Sequence, residues 1–495
     1  MQKYISKNIE LDLYEHQIEG IEFASKNKKV ILAHEMGLGK TRIAIVATND
    51  SNGPKDRTLV VCPASLKTNW SREIRGVLVE TDIDIIFGRK EPAEPSLAPW
   101  VIINYDVLTY HKDWIKNNFE TIILDEAHYI KGKTIRSRVA IDLCKTAERV
   151  YCLTGTPMLN RPIELFNILK AIGHWMSTNR QAYSEKFCGA FWMIQFQDIE
   201  TGRTFFTNQN NAKFYYGRNN FKQKLKFLDE SGATNLDLLR KNLTECMIRR
   251  KKDKVLDLPP KIIDIQEVEM SKLQRKEYDN TWDDYIAYLE SNPVDEETMQ
   301  NILSAKQLVE LTKLKQVCSR AKIDRIVEDA LNAIDQNQKV IIFSQYTDTI
   351  KYIAEGIRAK KVKAVTLTGQ DNQDTRQEAV DGFQTDPNIK AFVANIKAAG
   401  VGITLSKASI VMFADMDWSP EVHNQAIDRA HRIGQTRMIN VHYYVCKDTI
   451  EEDIIQLLQE KEKTIRQIID GDKKRVQSSS VFSDFIRKLS NRVIK

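Results

Sequence analysis

Three short stretches hold residues whose types and spacing could do chemistry. The first, Glu35-Met36-Gly37-Leu38-Gly39-Lys40-Thr41, follows an apolar run and opens a helical pattern. Glycines let successive backbone N–H groups turn toward a phosphate chain, and the positive end of the helix adds to the attraction. Lys40 then reaches the terminal phosphates and Thr41 offers a hydroxyl to Mg²⁺. Gly37, Leu38, Gly39, Lys40 and Thr41 are therefore the expected cradle for ATP. The general pattern G-x-x-x-x-G-K-[ST] asks for glycine at position 34, where the chain has His34. In the second stretch, Thr121–Leu124 reads as a buried strand ending in Asp125-Glu126-Ala127-His128. Asp125 is expected to hold Mg²⁺ through water, and Glu126 to polarise the attacking water. The third runs from Asn424 and Gln425 to Gln435. Its Arg429 and Arg432, at i and i+3, are expected on one helical face as two fingers that stabilise charge on a transferring phosphoryl group. Together these imply an ATP site split between two modules, closing on binding and reopening after hydrolysis.

Parallel strands collect active sites at their carboxyl ends, so such residues need a sheet behind them. Short β-branched runs supply it at 29–33, 58–62, 100–104, 121–124 and 149–153. A second series lies at 339–343, 362–366, 389–393, 409–413 and 439–443. Nearly continuous apolar strands alternating with helical patterns predict an α/β fold: two parallel-sheet lobes with helical insertions between them. The expected organisation is lobe 1 over 1–160, a helical and basic insertion over 161–257, and a proline-containing linker over 258–270. A helical insertion of lobe 2 follows over 271–335, then lobe 2 itself over 336–470 and a basic tail over 471–495. Strand signals are weak from about 160 to 335. Leu225, Leu228, Leu236, Leu239 and Leu243 belong to one helical stretch; Ile302, Leu303, Leu308, Leu311, Leu314 and Val317 belong to another. Leu258-Pro259-Pro260-Lys261 breaks the region.

Composition narrows the class. An apolar fraction of 42% with 28% charged residues is that of a soluble globular chain, and no apolar run reaches the length of a membrane span. Seven cysteines without a C-x-x-C pair argue for reduced intracellular thiols and against a zinc site. The net charge of +6 hides a split: residues 210–254 carry +7 and 472–495 carry +5, leaving about −6 elsewhere. Two basic regions on an acidic body suit a polyanion.

The motifs, taken in order from about residue 11 to 470, resemble the Swi/Snf-related branch of superfamily-two helicase-like ATPases, which have two RecA-like lobes. Leu13-Tyr14-Glu15-His16-Gln17 is similar to that family's adenine-reading segment, which implies Gln17 as the base contact. His34 stands where the family usually has Asp. Cys62–Trp70 and Ile103–Asp106 resemble its first DNA-tracking segments, and Leu153-Thr154-Gly155-Thr156-Pro157 its coupling motif. Ile341–Gln345 and Ala398–Leu405 follow its second-lobe pattern, as does Arg429–Gln435. Phe187-Cys188-Gly189, Gly232–Leu236 and Met247-Ile248-Arg249-Arg250 resemble the SMARCA-like annealing-helicase branch, whose members rewind or remodel branched DNA. The chain starts almost at the first motif, so no accessory fork-recognition module is expected.

The resemblance implies a DNA-dependent ATPase that translocates on double-stranded or branched DNA. A strand-separating helicase and an ATP-switched DNA-binding scaffold are the alternatives. A motor that steps along any sequence holds the nucleic-acid backbone rather than base edges. The implied contacts are Ser65, Lys67, Asn69 and Trp70 in the first lobe and Ser344, Gln345 and Thr404 in the second. Lys213–Phe227 mixes basic and aromatic residues as single-strand platforms do, and a small aromatic core is an equal reading. Arg249-Arg250-Lys251-Lys252 is expected to contact phosphate or the other lobe. A monomer is expected, inside a bacterial or virus-infected cell or in a nucleus, with no membrane association.

Overall fold

The apolar runs become strands whose faces are both covered, as parallel sheets require. The structure is a computed structural model that describes residues 1–7, 9–90, 96–155, 161–200, 204–216, 218, 220–230, 232–291, 305–399, 403–470 and 485. The tail over 471–495 lies outside the described residues apart from Phe485, as do Ile302, Leu303, Thr156, Pro157 and Gly400–Gly402. Two units are present. Met1–Gly189 with Glu230–Leu258 form lobe 1; Ala190–Asp229 and the chain from Pro259 form lobe 2.

Lobe 1 begins with an antiparallel hairpin, β1 (Gln2–Ser6) and β2 (Ile9–Leu13). Helix α1 (Glu15–Asn27) leads into β3 (Lys29–Leu32), followed by α2 (Lys40–Ser51), β4 (Thr58–Cys62) and α3 (Lys67–Val77). Then come β5 (Ile83–Ile85), β6 (Trp100–Asn104), β7 (Thr121–Leu124) and β8 (Arg149–Leu153). A later segment, β12 (Met247–Ile248), pairs with the open edge of β3 to complete an all-parallel sheet of order β12-β3-β8-β7-β4-β6-β5.

Lobe 2 repeats this plan. Its strands are β13 (Lys261–Val268), β14 (Val340–Ser344), β15 (Lys363–Leu367), β16 (Ile389–Asn395), β17 (Ile410–Phe413) and β18 (Ile439–Cys446). They are again all parallel, in the order β13-β18-β17-β14-β16-β15. Numbered within each lobe from β3 and from β13, both sheets run 1-6-5-2-4-3. The residues expected as a linker over 258–270 thus contain the first strand of lobe 2. Two features disguised it. Pro259 and Pro260 precede it, with the Pro260 carbonyl accepting from Ile439 N at 3.1 Å, and the strand lies at a sheet edge where prolines do least harm. As an edge strand it also alternates with Asp264, Gln266 and Glu267 rather than reading as a buried run.

The region between the lobes, where strand signals are weak and helical periodicity prevails, also contains an antiparallel sheet, β9 (Phe191–Asp198), β10 (Thr204–Asn208) and β11 (Phe221–Asp229), ordered β10-β9-β11. Leu225 and Leu228 lie on β11, whereas Leu236, Leu239 and Leu243 do lie on one helix, Leu236–Leu243. The leucine spacing matched a helix by coincidence, because cross-strand pairing with β9 decides the conformation and a bulge between Gln223 and Leu225 breaks the two-residue alternation. Leu311, Leu314 and Val317 lie on the helix Ala305–Ala321 and are buried, as expected. All seven cysteines are buried.

Lobe 2 is pinned by an ion pair with no solvent exposure. Lys322 Nζ lies 2.7 Å from both oxygens of Glu451 and donates to Tyr444 O at 3.0 Å, while Cys446 N donates to the same carboxylate at 2.9 Å. Cys318, Cys446 and Glu451 come within metal-ligating range of one another, and the lysine ammonium supplies the cation there. Glu451→Gln should therefore destabilise lobe 2 by about 3–5 kcal/mol, because it strands a buried ammonium. The double change Lys322→Met with Glu451→Leu should recover most of that loss in chemical denaturation.

Candidate active site

β3 ends at Leu32, and Ala33–Gly39 carry the chain into α2. Gly37 and Gly39 both have φ of 80°, a left-handed conformation that a residue with a Cβ pays to adopt. A Cβ on Gly39 would also lie 2.2 Å from Gln17 Nε2. The first-turn N–H groups of α2 have no carbonyl partner within the helix, so the loop presents donors and the positive helix end together. Lys40 Nζ lies across the loop, donating to His34 O at 2.8 Å and Glu35 O at 3.3 Å. Thr41, half-buried, is the second residue of α2.

The start of α1 braces this loop. Gln17 Nε2 donates to Leu38 O at 3.3 Å, Gln17 Oε1 accepts from Tyr14 N at 3.1 Å, and His16 Nε2 lies 3.1 Å from the same Leu38 carbonyl. Gln17, expected to read a base, is buried against the phosphate loop. His34 has no exposure and Nε2 lies 3.2 Å from His16 O. It fits because Gly20 faces it: a Cβ there would stand 3.3 Å from His34 Nε2 and 3.1 Å from Ile43. The imidazole thus takes the glycine position of the general pattern as a core strut between loop and helix.

Three residues that sequence reasoning had not assigned to this loop hold its base. Arg249 Nη1 donates to Ala33 O at 3.2 Å and to Gly155 O at 3.1 Å; Arg250 pairs with Glu19 at 2.9 Å; Lys252 N donates to Glu35 Oε2 at 2.9 Å. The basic cluster, expected to contact phosphate or the other lobe, is a fastener within lobe 1. Its only sequence signal was the short apolar pair Met247-Ile248 before it, which forms β12. Gly155, past the end of β8, is equally tight: a Cβ there would lie 2.7 Å from Met36 Cγ and 3.6 Å from Lys40 Nζ.

Asp125 and Glu126 emerge from β7, one strand beyond β8. Asp125 N continues the ladder to Val61 O at 2.8 Å. Its carboxylate is clamped on both oxygens, by Trp70 Nε1 at 2.7 Å and by Glu126 N at 2.9 Å, and Tyr105 donates to its carbonyl at 2.8 Å. Burial first, and the charge of Glu126 second, hold this carboxyl above the ordinary aspartate range, against the Trp70 hydrogen bond and the Lys40 charge. A divalent cation would relieve that kind of strain, and the Asp125 carboxylate and the Thr41 hydroxyl are oxygen donors of the type Mg²⁺ takes. Glu126 has φ of 48°, a left-handed conformation that costs a non-glycine residue on the order of 1–3 kcal/mol and marks functional positions. Its Oε2 lies 3.3 Å from His128 Nδ1.

Several expected DNA contacts are corrected by burial. Trp70 has no exposure and serves Asp125. Lys67 is buried, with Nζ donating to Ile86 O at 2.9 Å and Asn104 Oδ1 at 3.3 Å. Both lie with Ser71, Ile74 and Val77 on the inward stripe of α3, and the apolar spacing of Trp70, Ile74 and Val77 was the available signal. Ser65 is exposed and Asn69 half-buried. In lobe 2, Ser344 is buried and donates to Asp415 Oδ2 at 2.6 Å, so it is a network residue rather than a DNA contact. Gln345 N donates to Asp415 Oδ1 at 2.8 Å.

The arginine segment also differs from expectation. Its helix, Pro420–Ile427, ends before either arginine, so Arg429 and Arg432 share no helical face and lie in the turn beyond it. Gly434, with φ of 94°, and Gln435, whose Nε2 donates to Ala408 O at 2.7 Å and Ser406 O at 3.0 Å, shape that turn. Arg432 Nη1 donates to Thr404 Oγ1 at 2.7 Å, joining an expected finger to an expected DNA contact. Arg429 is buried, with Nε donating to Gln425 O at 3.2 Å; Gln425 Nε2 donates to Glu421 at 3.4 Å.

His34 gives this site a pH signature. Burial, aided by the Lys40, His16 and Arg250 charges, pushes its imidazole down to about 3. A histidine that folds neutral contributes stability above its unfolded value of ~6.5, and that stability is lost as pH falls toward the folded value. Acidification to pH ~5 should therefore cost lobe 1 about 2 kcal/mol through this group. His34→Gln, which keeps a donor for His16 O, should flatten that part of the pH–stability curve.

A family profile described as SNF2-related domain matches residues 16–323, and one described as helicase conserved C-terminal domain matches residues 321–434. The chain is 29% identical over 496 residues to the DNA annealing helicase and endonuclease ZRANB3 of Homo sapiens, covering 96% of this chain and 42% of that protein. It is 30% identical over 473 residues to the SWI/SNF-related matrix-associated actin-dependent regulator of chromatin subfamily A-like protein 1 homolog of Caenorhabditis elegans, covering 92% of this chain and 62% of that one. Among solved structures, the Sulfolobus solfataricus SWI2/SNF2 ATPase core in complex with dsDNA aligns with a TM-score of 0.43 and 25% identity, over 100% of this chain and 99% of that one. The chain spans less than half the length of the human relative. Since the SNF2-related profile alone takes in more than half of the residues and the helicase C-terminal profile follows it, the chain belongs to the SNF2-related family of helicase-like ATP hydrolases.

Proposed function

We propose that the chain hydrolyses Mg-ATP and uses the energy to translocate on double-stranded DNA, remodelling or annealing branched DNA. The observation that carries this reading is the meeting, at the carboxyl ends of β3, β8 and β7, of the Gly37–Thr41 loop, Gly155 and the clamped Asp125–Glu126 step. The loop N–H groups and Lys40 hold the phosphates. Thr41 and Asp125 would hold Mg²⁺, which supplies charge neutralisation there. Glu126 orients the attacking water and accepts its proton as the bond from that oxygen to the terminal phosphorus forms and the bond to the leaving diphosphate oxygen breaks. Arg429 and Arg432 act as arginine fingers, and Gln17 and Gln425 as nucleotide contacts.

Relatives named as DNA annealing helicases support a DNA track. Ser65 in the exposed turn before α3 and half-buried Asn69 in its first turn, with Gln345 and Thr404 in lobe 2, are the proposed backbone contacts. Among the described residues no helix is long and apolar enough to cross a membrane.

Lys40→Ala should abolish DNA-stimulated phosphate release, and Glu126→Gln should lower it by at least ~10²-fold, with unchanged folding. Arg432→Ala should lower kcat on the order of 10³-fold with little loss of ATP affinity, because its charge acts in the transition state. Triplex displacement without separation of a forked duplex would place the chain among translocases; undiminished turnover in the Lys40 and Glu126 variants would refute the assignment.

A further inference from the structure

The antiparallel insert β9–β11 takes no part in the nucleotide site, and its composition is unlike the rest of the chain. Ten of the 39 residues from Phe191 to Asp229 are aromatic, against 8% overall, and six Lys/Arg stand against three Asp/Glu. Among the described side chains, its core takes in Phe196, Tyr215 and Phe221. Ile194, Phe196 and Ala212 are buried, with Tyr215 and Phe221 packed on them. Tyr215 lies 5.4 Å from Phe196 and 5.2 Å from Phe221, a contact network sufficient for so small a sheet.

Among the described side chains Phe191, Phe214 and Tyr216 are exposed, and the last two lie together in one turn. Tyr216 is anchored edge-on to Phe196 at 5.4 Å yet 48% exposed, and Phe214 is 67% exposed. Lys213 and Arg218 flank them in the chain, and Lys226, opposite Ile194, lies on the Phe196 face of the sheet; all three are exposed. Among the described residues, Lys213 and Arg218 form no ion pair, and Lys226 Nζ lies 4.8 Å over the Trp192 ring. Exposed rings set among uncompensated cations match a polyanion whose ring faces are accessible. In duplex DNA the base faces are stacked inside, and only single strands offer them to a protein ring.

We infer that this insert is a binding platform for single-stranded DNA, in which Phe214 and Tyr216 stack on bases while Lys213, Arg218 and Lys226 hold the phosphates. It adds a contact for the unpaired strand of a branched substrate and needs no ATP. A ring fixed by its neighbours, as Tyr216 is on Phe196, loses little freedom on stacking, and a surface that reads ring faces and phosphates tolerates any sequence.

The test is fluorescence anisotropy of labelled oligo(dT) with the full chain and no nucleotide. The double variant Phe214→Ala with Tyr216→Ala should weaken binding at least about tenfold, and Phe214→Trp should retain it. Lys213→Gln with Lys226→Gln should weaken it too and make the salt dependence shallower by a slope of about 1.4, at ~0.7 for each phosphate contact. Affinity for blunt duplex and duplex-stimulated ATP turnover should stay unchanged in all of these. Phe214, Lys213 and Lys226 face solvent, so Phe214→Ala alone and the lysine variant should match the parent in thermal unfolding and still weaken oligo(dT) binding. Unchanged oligo(dT) affinity in the aromatic variant would overturn the platform, as would an equal loss on blunt duplex or binding of oligo(U) alone. If turnover proves absent in the parent while the aromatic variant still loses oligo(dT), the platform stands and the motor reading fails.

Discussion

The burial of the Asp125 carboxylate constrains more of lobe 1 than any other single interaction. A carboxylate removed from water is costly unless its oxygens are hydrogen-bonded, and here one oxygen is held by the Trp70 indole and the other by the Glu126 N–H. The first bond requires Trp70 to face inward, which fixes the rotation of α3 on the sheet and brings Lys67 under the surface with it. The second requires the backbone to turn sharply after Asp125, and the turn is realised as the left-handed conformation of Glu126. One electrostatic demand thereby sets the orientation of a helix and the conformation of the adjacent acid. It also explains why two residues that resemble DNA readers in sequence, Lys67 and Trp70, are structural supports.

Much of the site was legible because its chemistry is local. A phosphate loop needs glycines with left-handed torsions, a lysine and a hydroxyl within a few residues, and an acidic pair needs only a strand end. What was hidden depends on contacts across long sequence distances. Nothing near Arg249 reveals that its guanidinium will reach Ala33 and Gly155. Nor does His34 announce that Gly20 makes room for it. The helical face expected for Arg429 and Arg432 failed for a related reason: spacing describes a helix only while the helix continues, and Gly434 with the side chain of Gln435 shapes a turn there instead.

Fold legibility followed burial in the same way. Central strands read as continuous apolar runs and were found on that basis. β13 was mistaken for a linker because an edge strand keeps polar residues and tolerates the prolines before it. The β9–β11 sheet was missed because its leucines fall at helical spacing and its pairing partners lie elsewhere in the insert.

The common strand order of the two lobes explains why their chemistry differs. Strand 1 ends in Ala33–Gly39 in lobe 1, where glycines curl the backbone and β12 with Arg249 secures the edge. Strand 1 of lobe 2 ends in Val268-Glu269-Met270-Ser271, with no glycine to form a cradle and with its outer edge unpaired among the described residues. The end of strand 5 diverges as well. Beyond β7 the second oxygen partner of Asp125 is its own neighbour's N–H, and the Glu126 carboxylate, itself buried, meets His128 Nδ1 at 3.3 Å. Beyond β17, Asp415 is fully buried and accepts from Ser344, Ser319 and Gln345 N. A carboxylate saturated by its own lobe is a structural pin, and it holds together the segment after β14 and the helix that carries Ser319. The same topological position thus carries the proposed hydrolytic pair in one lobe and a structural pin in the other, decided by which neighbours satisfy the acid.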